Sequence, residues 1–285
     1  MAYISSSCSK KNSIVDAIDE IYKQGIKSIE LSGGTKHYPN LEKDLIHLKE
    51  SKDIDFLLHN YFPPPPESFV LNLASLNDDI YEKSISHIKR AIDLSEKLGA
   101  DKYGFHAGFY FDIPVNEIGK KLSKVLLNDK STAEKRFIDA FKEIEYYNKG
   151  RVKLYIENNV INRSNYEKFG ENPLMLTSSN SYNNLKEKID FNLLLDIAHL
   201  FVSCSTLNLD FADELKRLAK ETDYIHVSDN NGEKDNNEKL RLNSTIENEL
   251  TFEILKNKTI TLEVYDNFSS ILDSLNIIQK KINAG

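Results

Sequence analysis

Three observations predict a single (β/α)8 TIM barrel over residues 1–285, an α/β fold with long βα loops at the C-terminal face. Short apolar runs that end in a polar side chain recur along the second half: Leu154-Tyr155-Ile156-Glu157, Leu193-Leu194-Leu195-Asp196, Tyr224-Ile225-His226 and Ile260-Thr261-Leu262-Glu263. Their last residues lie 39, 30 and 37 positions apart, each about one strand-plus-helix unit of such a barrel. In the first half, short apolar runs alternate with stretches of helical spacing, and no break in composition marks a second domain.

Taken in order, Ala2 to Ser7 reads as a first strand with Tyr3 and Ile4 toward the core. Ile14, Ala17, Ile18 and Ile21 then recur at the spacing of an amphipathic helix, which Gly25 closes. Ile26 to Leu31 is the second strand, ended by Gly33-Gly34. Leu41, Leu45 and Leu48 mark a helix to Lys49, and Phe56 to His59 the third strand. Pro63 to Pro66 offers no backbone donors to a sheet, so a stiff extended wall over the mouth is expected there. The next helix opens at Asp78 or Asp79, carries Ile80, Ile85, Ile88, Ile92 and Leu98, and ends at Gly99. Lys102 to His106 is the fourth strand, and Pro114 to Asn148 a helix pair broken near Asn128 to Ser131.

The fifth strand runs from Val152 to Glu157. Residues 158–190, rich in Asn and Ser and without periodicity, predict a long loop over the mouth with one short helix at its end. A sixth strand ends at Asp196, with a helix over Phe211 to Ala219 behind it. After His226 the polar stretch Ser228 to Asn243 is a candidate lid. Ser244 with Glu247 has the pattern of a capping box, and Ile271, Leu275 and Ile278 line a last helix over Phe268 to Ile282.

Composition narrows the function classes. A net charge of −7 argues against a nucleic-acid partner held by its phosphates. No apolar run reaches membrane length, and the first residues lack the pattern of a secretion signal, so no membrane partner is expected. Cys8 and Cys204 are too few for a disulfide framework, which points to a reducing, cytoplasmic setting. A small molecule is the expected partner, and a homo-oligomer is compatible with the sequence.

Glu157, Asp196, His226 and Glu263 would meet at one mouth, where barrels of this kind carry their active sites. Three carboxylates buried together repel one another, and a cation removes that cost. Oxygen and imidazole donors suit a divalent metal ion such as Mn, Co, Mg or Zn rather than a thiolate-selected one. Alone, any of these residues is ordinarily a surface or ion-paired group, and His59 or His106 alone a core histidine. Their shared place at the tips of apolar strands separates them from that background.

Further short motifs surround these tips: Phe105-His106-Ala107-Gly108, Asp196-Ile197-Ala198-His199 and His226-Val227-Ser228-Asp229-Asn230. With Glu157 and Glu263, they resemble the strand-end motifs of the xylose-isomerase-like barrels, a group of sugar isomerases and epimerases that also includes endonuclease IV-type enzymes. The resemblance spans nearly the whole chain in strand-helix order. It implies a divalent-metal-dependent sugar or sugar-phosphate isomerase or epimerase, working by proton abstraction next to a carbonyl through an enediolate. Glu157 and Glu263 would move the proton; Glu157, Asp196, His226 and Glu263 would hold the metal. His59, His106, His199, Asn158 and Asp229 would bind the sugar. Two alternatives stay open, an endonuclease IV-type phosphoesterase and a non-catalytic carbohydrate-binding barrel. Residues 235–243 lack the histidine that a three-metal nuclease site carries there.

Overall fold

The computed structural model describes residues 2–118 and 120–284, so both ends of the expected domain, Met1 and Gly285, lie outside it. Eight parallel strands close in sequence order into a barrel: β1 Ala2–Ser5, β2 Ser28–Leu31, β3 Asp55–His59, β4 Lys102–His106, β5 Lys153–Glu157, β6 Asn192–Asp196, β7 Tyr224–Val227 and β8 Thr259–Leu262. The α/β barrel expected from the alternation is the fold observed. No helix among the described residues is long and apolar enough to cross a membrane.

Strand alternation creates two cores. Ile4, Ile29, Phe56, Leu58, Phe105, Ile156, Leu195, Ile225 and Leu262 point outward into a large cluster shared with the helices. Leu57, Tyr155, Leu194 and Tyr224 point inward and fill the barrel's interior, with Tyr3 packed against them. Tyr3 and Ile4 thus both serve a core, on opposite faces of β1.

The surrounding helices are α1 Ile14–Tyr22, α2 Leu41–Lys52, α3 Asp78–Leu98, α4 Lys130–Asn148, α5 Arg163–Phe169, α6 Ser179–Lys186, α7 Ile197–Leu207, α8 Phe211–Leu218, α9 Thr245–Glu249, α10 Phe252–Leu255 and α11 Phe268–Asn283. Asn77 caps α3 by accepting from Asp79 N, and Gly99 ends it in a left-handed conformation.

Several expectations are corrected. Among the described residues, the stretch before α4 holds a short 3-10 turn at Val115–Glu117 instead of a helix, with Val125 and Leu126 exposed. A cis Phe62–Pro63 peptide, with Phe62 buried, leads into the Pro63 to Pro66 run. The expected loop at 158–190 contains two helices, α5 and α6. Between Asp196 and the expected helix lies α7, apolar nearly all round and so without an amphipathic signature. Within the candidate lid, Asp229 pairs with Glu238 in a short antiparallel bridge, and Gly232 packs on Phe201 and Ser205. Ser244 caps α9 as expected, but the Glu247 carboxylate accepts from Asn243 N, not from the cap itself.

Candidate metal centre

The inward direction that carries Leu57, Tyr155, Leu194 and Tyr224 recurs two residues further along each strand. It places His59, Glu157, Asp196 and His226 directly above the inner cluster. Ligand atoms of Glu157, Asp196 and His226 lie within 4.8 Å of one another, and so do those of Glu30, His59, His226 and Glu263. The four expected ligands are therefore brought together, in two groups that share His226.

Each position has a local cause. Asp196 ends β6 and caps α7 at once: its Oδ1 accepts from His199 N at 2.7 Å, which explains the three-residue spacing and leaves Oδ2 for another partner. Asn158 locks the two strand ends together, accepting from Asp196 N at 2.7 Å and donating to Asp196 O at 3.0 Å. His59 donates from Nε2 toward Glu157 Oε2 at 2.7 Å. His106 Nδ1 stands 3.2 Å from the same oxygen. Gly104 makes room for this group, since a Cβ there would come 2.6 Å from Leu194 Cδ2 and 3.3 Å from His59 Cδ2.

Within the cluster, His226 Nδ1 lies 3.7 Å from both Glu157 Oε1 and Glu263 Oε2. Glu157 Oε1, Asp196 Oδ2 and His226 Nδ1 are buried, and none has a hydrogen-bond partner among the described residues. Three orphaned donor atoms on three adjoining strands are costly in a dry interior. A divalent cation would satisfy all three, so the residues present fit such an ion.

The charges are strongly coupled. Burial would raise the Glu157 carboxyl, but His106 and His59 outweigh it and hold the group well below the usual range. Burial pushes Glu263 the other way, upward. Burial also lifts Asp196 to about 7, against the pull of His199. For His226, burial favours the neutral ring, but Glu30 and Glu263 win and hold it at about 10. His106 is lowered to about 4, mainly by burial.

The expected substrate contacts divide. His59 and His106 face the cluster, whereas His199 has both ring nitrogens engaged, Nδ1 with Asn158 O at 3.0 Å and Nε2 with Asp235 Oδ2 at 3.2 Å. Asn158 is engaged by Asp196, and Asp229 by Arg241, whose Nε lies 3.2 Å away. Two residues escaped the sequence reading. Glu30 reaches the cluster from β2, signalled only by an acid inside the apolar run Ile29-Glu30-Leu31; Asp235 meets His199 across 36 residues, a contact no local pattern announces.

The xylose isomerase-like TIM barrel family matches this sequence over residues 18–281, most of its length. The chain belongs to that family. Among solved structures, a D-tagatose 3-epimerase-like protein is similar to this family member at 18% identity, with a TM-score of 0.70, over 99% of each chain. D-psicose 3-epimerase from Clostridium cellulolyticum is similar at 14% identity and a TM-score of 0.64, over 98% of each chain. Endonuclease IV from Thermus thermophilus is similar at 14% identity and a TM-score of 0.64, covering 100% of this chain and 99% of its own. At such identities the likeness concerns the fold. No curated protein matches the sequence significantly.

Proposed function

We propose that the chain is a divalent-metal-dependent isomerase or epimerase of a small sugar or sugar phosphate. One observation carries the reading: Glu157 on β5 and Glu263, just beyond β8, both bring a carboxylate oxygen to 3.7 Å from His226 Nδ1. Moving a carbon-bound proton from one face or carbon of a substrate to another calls for two such carboxylates around one cavity. Glu157, Asp196, His226 and Glu263 would hold the ion, which when bound polarises a carbonyl and makes the neighbouring carbon-bound proton acidic.

This chain's own residues divide the remaining work. Glu157, kept ionised beside His106 and His59, suits the group that takes the proton. Glu263, whose carboxyl burial raises, suits the group that returns one. His59 holds Glu157 by a hydrogen bond, His106 stands 3.2 Å from the same oxygen, and both would line the approach for substrate hydroxyls. The epimerase names among similar structures support the reaction class proposed.

A second reading, a phosphoester hydrolase, has its own observation. His59, His106 and Glu157 form a further triad with ligand atoms within 4.8 Å, sharing Glu157 with the first. Two cations flanking one carboxylate suit hydrolysis of a phosphoester, and endonuclease IV is among the similar structures.

One experiment addresses both readings. The protein, loaded in turn with Mn, Co, Mg or Zn, is incubated with sugars and sugar phosphates in deuterium oxide while bound metal per chain is counted. Metal-dependent deuterium uptake at carbon, with one ion per chain, is the expected result. No uptake, with two ions per chain and cleavage of a phosphodiester, would replace it with the hydrolase.

A further inference from the structure

Glu30 reaches the barrel interior from β2 and is fully buried. Its Oε2 accepts a hydrogen bond from the Tyr224 hydroxyl and another, at 2.8 Å, from the Thr261 hydroxyl, and lies 3.0 Å from His226 Nε2. Its Oε1 accepts from Ser32 Oγ at 3.3 Å and stands 3.8 Å from His59 Nδ1. Glu30 is near enough to His59, His226 and Glu263 to share an ion with them. Two hydroxyls and an imidazole already converge on Oε2, however, which leaves that oxygen no free lone pair for a cation.

We propose that Glu30 is a positioning residue that fixes the tautomer of His226, so that Nδ1 is the ring nitrogen offered to a metal ion. A carboxylate can only accept, so the imidazole must place its proton on Nε2 to bond with Glu30. Once the ring gives up its second proton, as ligation requires, the lone pair is freed at Nδ1, the atom that is buried without a partner and faces Glu157 and Glu263. A carboxylate behind a ligating histidine orients the ring and raises its basicity. Tyr224 and Thr261 hold that carboxylate from the floor of the barrel, which ties the aim of the ring to the packing beneath it. The proposal rests on the metal-binding reading of the site, whichever reaction the site supports.

The test uses zinc ions and the whole protein. In zinc-loaded, 15N-labelled wild type, long-range 1H–15N spectra are expected to show His226 protonated at Nε2 and ligated through Nδ1. The opposite tautomer would overturn the role of Glu30 while leaving metal binding intact. Glu30→Gln can present an amide N–H to Nε2 and draw the ring proton to Nδ1. Its zinc affinity, read by competition with a colorimetric chelator, is expected to fall about 10–100-fold. A folded Glu30→Gln protein that binds zinc as tightly as wild type also overturns the proposal, because a purely structural glutamate would change thermal stability alone. The wild-type spectrum decides the matter even if that variant does not fold. Wild type that binds no zinc removes the metal-binding reading and this proposal with it.

Discussion

Two layers of the barrel interior, one residue pair apart on the same strands, behave as opposites. The lower layer, Leu57, Tyr155, Leu194 and Tyr224, is a packed cluster. The upper layer, His59, Glu157, Asp196 and His226, carries titratable groups and orphaned donor atoms. The backbone that presents them is continuous, so the difference lies wholly in side-chain chemistry at successive inward positions. In the lower layer both hydroxyls are paired, Tyr155 with Asp223 and Tyr224 with Glu30, whereas the upper layer is complete only with something added. A closely packed floor gives the upper groups a fixed geometry and a dry environment in which charge interactions are strong.

Substitutions in the two layers should therefore fail in different ways. The largest effect is expected in the upper layer: Glu157→Gln should reduce turnover about 10²–10⁴-fold with little loss of thermal stability. Rates measured beside a melting curve check this, and near-normal rates would remove Glu157 from proton transfer. In the lower layer, Leu194→Ala should cost about 2–5 kcal/mol of stability while metal still binds. Denaturant titration with and without zinc tests the separation, and loss of metal binding in the folded variant would show that the layers are not separable there.

A smaller effect is expected at the rim. His106→Ala should cost about 1–3 kcal/mol in kcat/KM, and unchanged kinetics would assign His106 to structure. The smallest effect concerns pH. In the metal-free chain, burial works against the His226 proton, but Glu30 and Glu263 hold it at about 10, above the ordinary 6.5. The stability this supplies is full below pH 6.5 and is lost as pH rises toward 10. Burial raises Asp196 to about 7, so its ionisation adds a cost over the ascent to that pH. Melting temperature of the metal-free protein should thus fall between pH 7 and 10, and bound zinc, which replaces the proton, should flatten the curve. Parallel curves would contradict the exchange of proton for metal.

The upper layer was legible in the sequence where a polar residue ends an apolar run, as at Glu157, Asp196, His226 and Glu263. Such termini advertise an inward tip. Glu30 gave no such signal because a lone acid between Ile29 and Leu31 reads as an outward-facing position of a half-buried strand, and its partners Tyr224 and Thr261 come from the far end of the chain. Asp235 is found only through a contact across a long loop. In the fold, helices with one apolar face were readable, as α3 was; α7 was not, because burial on nearly all sides erases the polar face that periodicity needs.

Gly104 couples the two layers. An added methyl group there would press on Leu194 below and on His59 above in a single step. Mutational drift at this one position would harm robustness and chemistry together, so neither property could be gained at the other's expense.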